Sequence, residues 1–438
     1  MLKKVVKLNK PLKGEITIPS DKSISHRAVM FSSIAEGECV VSNFSSGADC
    51  HSTLNLFKQL GVDIQFIDEK TLKISSDGML KPINPHPNPL PRRGNEAICD
   101  CGNSGTTMRL VSGILAGQNF DSIMIGDESL SKRPMKRVIE PLTLMGAEIE
   151  SVDGHAPLTI KGRPLHGINY NSKLASAQVK SCLLLAGLNA QGETIFTEPY
   201  VSRDHTERLF NYLDADIKID GTSVTIKPSK LCAKDIEVVG DISSAAFFIV
   251  AGLIVKDSDF VIKNVGINPT RAGILDVVSR MGGGVNILNE RTIAGEPCAD
   301  IRVHYNDSLK GCVIEGSDIP RLIDELPVIA VLASQAEGET IIKNAEDLRN
   351  KESDRIKCLV EELTKIGVDI KETADGFIVR GKRKYLQGNA ELQCYHDHRL
   401  AMSFYIAGLV CQNEIAINGF EWTKISFPEF EELVTRLQ

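Results

Sequence analysis

Six stretches of about 13 residues are apolar almost throughout, and each opens on a Ser or an Asp. They are Ser23–Ala35, Ser104–Ala116, Ser176–Leu188, Asp241–Leu253, Asp324–Ala336 and Asp397–Leu409, recurring at intervals of 65 to 83 residues. A segment that is apolar on every face reads as a buried helix. A Ser or Asp at its start can accept hydrogen bonds from the unpaired N–H groups of the first turn. A β-branched strand follows each helix: CVVSN (39–43), SIMIG (122–126), TIFTE (194–198), FVIKN (260–264), TIIKN (340–344) and IAING (415–419). In three copies the link is a polar turn, AEGE (35–38), AQGE (190–193) or AEGE (336–339). An amphipathic second helix comes next. In the first five copies it runs into another strand, such as LGVDIQFI (60–67) or IGVDIKET (366–373). The pattern predicts an α/β protein of six repeated helix–strand–helix–strand units, the sixth stopping at its second helix.

Six copies divide naturally into two groups of three, with the break near Val239–Asp241. The strands Val5–Leu8 and Glu15–Ile18 precede the first copy and are expected to pair with the far half. The predicted domains are therefore 22–239, and 1–21 together with 240–438, three repeats in each. A chain of 438 residues fits this at roughly 100–200 residues per domain. Lys81–Glu96 (KPINPHPNPLPRRGNE) breaks the pattern with five of the 18 prolines and reads as a Pro-rich surface insert.

Composition narrows the function. With 50 Lys and Arg against 57 Asp and Glu, the net charge is −7, and there is no electrostatic footprint for nucleic acid. The longest apolar run, Ala245–Val255, is far short of the roughly 20 residues a bilayer span needs. The first ten residues, broken by Lys, offer no signal-peptide core. A cytoplasmic protein with no membrane association is expected. The 11 Cys contain no C-x-x-C pair and read as small core residues, not as a metal site.

Polar and charged residues gather where the apolar helices begin: PSDKSISHR (19–27), GNSGTTMR (102–109), Ser176-Ala177-Gln178, Asp324-Glu325 and His396-Asp397-His398-Arg399. Helix N-termini carry partial positive charge and free N–H donors, so they attract anions. The connecting segments add Arg133 in GDESLSKRPMKR (126–137), Arg203 in EPYVSRDHTER (198–208), and Lys351, Glu352 and Arg355 in DLRNKESDR (347–355). Recurrence at equivalent places in several repeats points to a cleft built for phosphate and carboxylate groups.

PSDKSISHRA, GNSGTTMRL, RDHTER, KESDR and DHRLAM, in this order, resemble the enolpyruvyl transferases, and within them the branch that uses shikimate 3-phosphate. The resemblance covers the chain apart from the Pro-rich insert. It implies a two-domain inside-out α/β barrel of six units. It also implies a reaction that joins phosphoenolpyruvate to the 5-hydroxyl of shikimate 3-phosphate, releases phosphate, and needs no metal or organic cofactor. The partners are these two small molecules, acting on a monomer.

The same resemblance implies roles. Lys22 would contact both substrates. Ser23, Arg27, Ser176, Ala177, Gln178 and Arg203 would hold shikimate 3-phosphate, with Asp324 and Lys351. Gly105, Arg133, Arg355 and Arg399 would form the phosphoenolpyruvate pocket, with Gln178 and Lys351 reaching between the ligands. Asp324 would accept the proton of the attacking hydroxyl, and Glu352 would protonate the methylene carbon. Glyphosate would compete with phosphoenolpyruvate, and Gly105 would leave room for it. The residue chemistry suits these roles: two substrates carrying four acid groups need several fixed cations, and a hydroxyl is a weak nucleophile until a base takes its proton. Because the cations come from both predicted domains, the unliganded protein should stay open and close on shikimate 3-phosphate, hinging near Pro19–Lys22 and Val239–Asp241.

Some members of the family carry a Lys where this chain has Ile425, two residues before Phe427-Pro428, with Lys424 adjacent. The branch acting on a UDP-amino sugar usually has a Cys acid in its mobile loop; Gly126–Arg137 has none. A non-catalytic anion-binding scaffold would not need Asp324 and Glu352 among so many cations. An RNA-end-processing relative would want a basic face.

Overall fold

The computed structural model describes residues 1–82, 96–382 and 386–438. The Pro-rich insert expected at 81–96 falls mostly on 83–95, outside the described residues.

Twelve helices carry the repeat in pairs: α1 (Lys22–Ile34) and α2 (Ala48–Gln59), α3 (Gly105–Ala116) and α4 (Lys136–Leu144), α5 (Ala177–Gly187) and α6 (His205–Tyr212), α7 (Ile242–Ile254) and α8 (Gly273–Arg280), α9 (Leu326–Ser334) and α10 (Arg355–Lys365), α11 (His398–Gly408) and α12 (Phe430–Arg436). The first of each pair is the apolar one, and in α7 every residue is buried. Ser104, Ser176, Asp241 and Asp397 cap α3, α5, α7 and α11 with their side chains.

Two expected caps are corrected. In α1 the cap is Asp21, which accepts from the Ile24 N–H at 2.9 Å; Ser23 lies inside the first turn. In α9 the helix starts at Leu326 with Pro327 in its first turn, so one unpaired donor is absent and no side-chain cap forms. Asp324 sits before it, in the turn that follows the short helix Ile319–Leu322. The AEGE stretches of the first and fifth copies also differ from expectation. They lie at the start of the strands Ala35–Ser42 and Glu337–Ile342 instead of forming turns. Gly37 and Gly338, at φ of 126° and 91°, let the chain extend directly from the helix end.

Each of the first five copies holds one strand more than the sequence pattern suggested. Thr71–Asp77, His155–Lys161, Ser223–Ile226, Glu296–His304 and Phe377–Lys382 form that extra strand, antiparallel to the strand after the apolar helix. A further strand before the apolar helix pairs in parallel. Ala97–Asp100 beside Ser122–Ile125 across α3 is an example, and such a parallel pair requires a crossover like this helix.

The described chain divides into two compact units, Ser20–Val239 with Thr292–Glu296, and Met1–Pro19 with Gly240–Arg291 and Pro297–Gln438. Each contains three sheets. The leading strands are exchanged. Lys13–Thr17 precedes α1 but pairs in parallel with Asp259–Gly266, the strand after α7. Leu231–Cys232 and Ile236–Glu237 precede α7 but pair in parallel with Ala35–Ser42, the strand after α1. The exchange makes the chain pass between units at 19–20 and again at 239–240. Leu2–Val5 pairs antiparallel with Ile415–Asn418 and so completes the sheet of the sixth copy, which has no hairpin of its own.

Nine of the Cys are buried, Cys232 is exposed and Cys312 is half-buried. Among the described residues, no helix is long and apolar enough to cross a membrane.

Candidate active site

In the 20–239 unit, the starts of three apolar helices carry the expected residues. Lys22 and Ser23 occupy the first turn of α1, where the Lys22 Nζ lies 3.0 Å from Asp49 Oδ2 at the start of α2. Burial would raise the Asp49 carboxyl, but the Lys22 ammonium, with help from Arg133, holds it below the usual range.

Arg27, one turn on, is buried, and each of its three nitrogens makes a hydrogen bond. Its Nε donates to Thr206 Oγ1 at 2.8 Å, Nη2 to Ser181 Oγ at 2.8 Å and Nη1 to the Ser23 carbonyl at 3.0 Å. Burial brings its guanidinium down to about 10, with Arg203 adding repulsion against the pull of Glu207 and Asp21.

At α3 the Gly105 backbone is buried between two guanidinium groups. A Cβ added there would meet Arg109 Nη1 at 2.9 Å and Arg133 Nη1 at 3.5 Å. Arg133 donates to Asn103 Oδ1 at 2.9 Å. Arg109 donates to Gln178 Oε1 at 3.0 Å, so the amide of Gln178, on α5 beside Ser176 and Ala177, turns its Nε2 toward Thr106 Oγ1.

In the 240–438 unit, the starts of α9, α10 and α11 converge. Arg355 is buried and reaches three carboxylates: Asp397 at 2.7 Å, Glu352 at 2.5 Å and Asp324 at 3.5 Å. These acids raise its pKa against the cost of burial. Arg399 Nη1 donates to the Asp324 carbonyl at 3.3 Å, and Nη2 lies 3.8 Å from the Asp324 carboxylate. Asp324 is thus held between two guanidinium groups. Desolvation would raise Glu352, but Arg355 and then His398 bring its carboxyl down to about 2. Lys351 pairs with Asp347 at 3.6 Å. Lys424 and Ile425 are both exposed at the end of the 3-10 segment Phe420–Ile425.

Three sets of residues escaped the sequence reading. One is Asp49, the partner of Lys22. The second is Lys180, buried in α5 and clamped by Glu198 at 2.8 Å and Glu207 at 2.7 Å. A lone Lys inside an apolar helix was its visible signal, since a buried charge demands a partner. The third is Arg271, buried against Glu325 at 3.0 Å, with Ser243 bonded to both. Nothing in the spacing of Arg271 and Glu325 announces that pair.

The fold is mixed α/β, built on repeats whose helix starts present Arg and Lys, and in the 240–438 unit these cations surround acids. Cations gathered at helix starts in this way suit anionic small-molecule ligands. The EPSP synthase (3-phosphoshikimate 1-carboxyvinyltransferase) family model matches residues 6–434, and the chain belongs to that family. A 3-phosphoshikimate 1-carboxyvinyltransferase of Thermoanaerobacter sp. is 50% identical over 427 residues, covering 97% of each chain. That of Geotalea uraniireducens is 48% identical over 434 residues, covering 99% of this chain and 98% of the relative. The solved EPSP synthase of Acinetobacter baumannii superposes with a TM-score of 0.89 at 43% identity, covering 99% of this chain and 97% of that one. The enolpyruvyl transferase NikO of Streptomyces tendae, at 18% identity and a TM-score of 0.78, shares the fold.

Proposed function

We propose that this chain is a 3-phosphoshikimate 1-carboxyvinyltransferase, working as a cytoplasmic monomer. It transfers the enolpyruvyl group of phosphoenolpyruvate to the 5-hydroxyl of shikimate 3-phosphate and releases phosphate, a step of the shikimate pathway. Each three-repeat domain, 22–239 and 1–21 with 240–438, contributes one half of an inside-out α/β barrel.

Shikimate 3-phosphate is held by Lys22, Ser23, Arg27, Ser176, Ala177, Gln178 and Arg203, with Lys351 and Asp324. Phosphoenolpyruvate is held by Lys22, Gly105, Arg133, Gln178, Arg355 and Arg399. Asp324 takes the hydroxyl proton as the oxygen attacks the substituted carbon of the enol. Glu352 delivers a proton to the methylene carbon, giving a tetrahedral intermediate; as the C–O bond to phosphate breaks, the resulting methyl group returns a proton to the Glu352 carboxylate and the enol double bond re-forms. With its carboxyl held down at about 2 by Arg355 and His398, Glu352 becomes a donor only once bound anion draws Arg355 away from it. The observation that carries this reading is Asp324 between the Arg355 and Arg399 guanidinium groups in a chain of this family. Phosphate release with shikimate 3-phosphate, and none with a UDP-amino sugar, tests it. The reverse preference would overturn it.

A further inference from the structure

Four buried side chains form an unbroken hydrogen-bond chain through the 20–239 unit. His26 Nδ1 lies 2.7 Å from Thr53 Oγ1, Thr53 Oγ1 lies 2.6 Å from Thr107 Oγ1, and Thr107 Oγ1 donates to Ser104 Oγ at 2.7 Å. All four residues are fully buried. Ser104 also accepts the Thr107 backbone N–H at 3.1 Å as the cap of α3. The chain therefore starts on α1, passes through α2 and ends on the residue directly before Gly105.

Proton counting gives the chain a direction. A hydroxyl has one hydrogen to donate. Thr107 spends its own on Ser104, so Thr53 must donate to Thr107. Thr53 then has none left for the imidazole, and His26 Nδ1 must be the N–H donor. The other ring nitrogen agrees with this. Among the described residues, His26 Nε2 is buried without a hydrogen-bond partner, and a bare acceptor in that position costs less than an orphaned N–H donor. Burial, aided by Lys22 and Arg27 against Asp49, brings the His26 pKa down to about 3, which keeps the ring neutral at physiological pH.

We propose that His26, as the neutral Nδ1–H tautomer, heads a one-directional hydrogen-bond chain through Thr53 and Thr107 to Ser104, and that this chain positions the Gly105 turn of α3 relative to the substrate-binding turn of α1. His26 lies one residue before Arg27 and one helical turn after Lys22. Gly105 follows the Ser104 cap. The chain thus ties the shikimate 3-phosphate residues of α1 to the phosphoenolpyruvate turn of α3 without touching either ligand. His26, Thr53 and Thr107 are positioning residues. This inference rests on the assignment of Gly105 to the phosphoenolpyruvate pocket made above.

The tautomer is tested without any change to the wild-type protein. Long-range ¹⁵N NMR on the full chain with ¹⁵N-histidine, assigned by loss of the signal in His26→Asn, should show an Nδ1–H ring at neutral pH. An Nε2–H ring, or a tautomer average, overturns the directed chain. The positioning role is tested by Thr53→Val, which keeps shape and removes the hydroxyl. It should raise the KM for phosphoenolpyruvate about tenfold, within the range that a small displacement of binding groups produces, and leave the KM for shikimate 3-phosphate within about twofold. Thr53→Ser should restore the wild-type value. If Thr53→Val leaves the phosphoenolpyruvate KM unchanged while Gly105→Ala raises it, the positioning role fails and the pocket assignment stands. If Gly105→Ala also leaves it unchanged, the pocket assignment fails, and the NMR result alone decides the chain. Should Thr53→Val not fold, Thr107→Val with Thr107→Ser as its rescue makes the same comparison.

Discussion

Arg355 Nε donates to Asp397 Oδ2 at 2.7 Å, and both side chains are almost wholly buried. The same carboxylate caps α11 by accepting the backbone N–H groups of Arg399 and Leu400 at 2.9 and 3.4 Å. One acid therefore sets both the orientation of the Arg355 fork and the start of the helix that carries Arg399. Taking charge from one member of a buried pair leaves the other uncompensated. Asp397→Asn keeps the cap acceptor and loses the charge. It should lower the unfolding free energy by about 3 kcal/mol, read from urea denaturation. A loss under about 1 kcal/mol would mean that solvent compensates Arg355.

Asp324→Asn preserves size and hydrogen bonding while removing the base. Turnover should fall at least ~100-fold, the scale of general-base catalysis, with both KM values changed far less. Steady-state phosphate release measures it, and near-normal turnover would take Asp324 out of the chemistry.

Gly105→Ala places a methyl 2.9 Å from Arg109 Nη1 and 3.5 Å from Arg133 Nη1. One guanidinium must shift, and Arg109 also holds Gln178. The KM for phosphoenolpyruvate should rise, and the inhibition constant for glyphosate should rise by a larger factor, because the inhibitor is longer than the substrate. Equal factors for the two would show that the methyl acts by displacing Arg109, not by crowding the inhibitor.

Asp300 accepts from the Lys263 ammonium at 2.8 Å, the Asn264 N–H at 2.9 Å and the Asn289 amide at 2.9 Å. Burial would raise its carboxyl, and these donors instead hold it down to about 2. A carboxyl depressed on folding contributes stability that is fully present above its unfolded value, near 3.9, and is lost as pH falls from there toward about 2. Asp300→Asn should cost about 1 kcal/mol at pH 7, because its Lys263 partner faces solvent, which screens the pair, and the gap from wild type should close as pH drops from about 4 to about 2. Urea unfolding across that range decides it; a gap independent of pH would contradict the assignment.

Much of this architecture lies in local pattern. The apolar helices, their strands and four of the six caps are consequences of side chains within a dozen residues of one another, so periodicity and cap chemistry determine them. Lys22 and Gly105 stand out because charge or glycine at the start of an apolar helix is conspicuous in one dimension, Asp324 because it falls in a charged turn next to such a segment, and Arg355 because it lies in the charged stretch KESDR (351–355). Tertiary structure decided the rest. The hairpin strands such as Thr71–Asp77 are half polar, and pairing with Ala35–Ser42 on one side and Asp63–Asp68 on the other makes them strands. Lys13–Thr17 carries no label naming Asp259–Gly266 as its partner; register arises when two strands whose paired residues lie 246 apart along the chain bury their edges together. The links from His26 through Thr53 to Thr107 join side chains of three separate helices, and Arg271 meets Glu325 from turns ahead of two different helices, all within 3 Å, a distance no spacing along the sequence encodes.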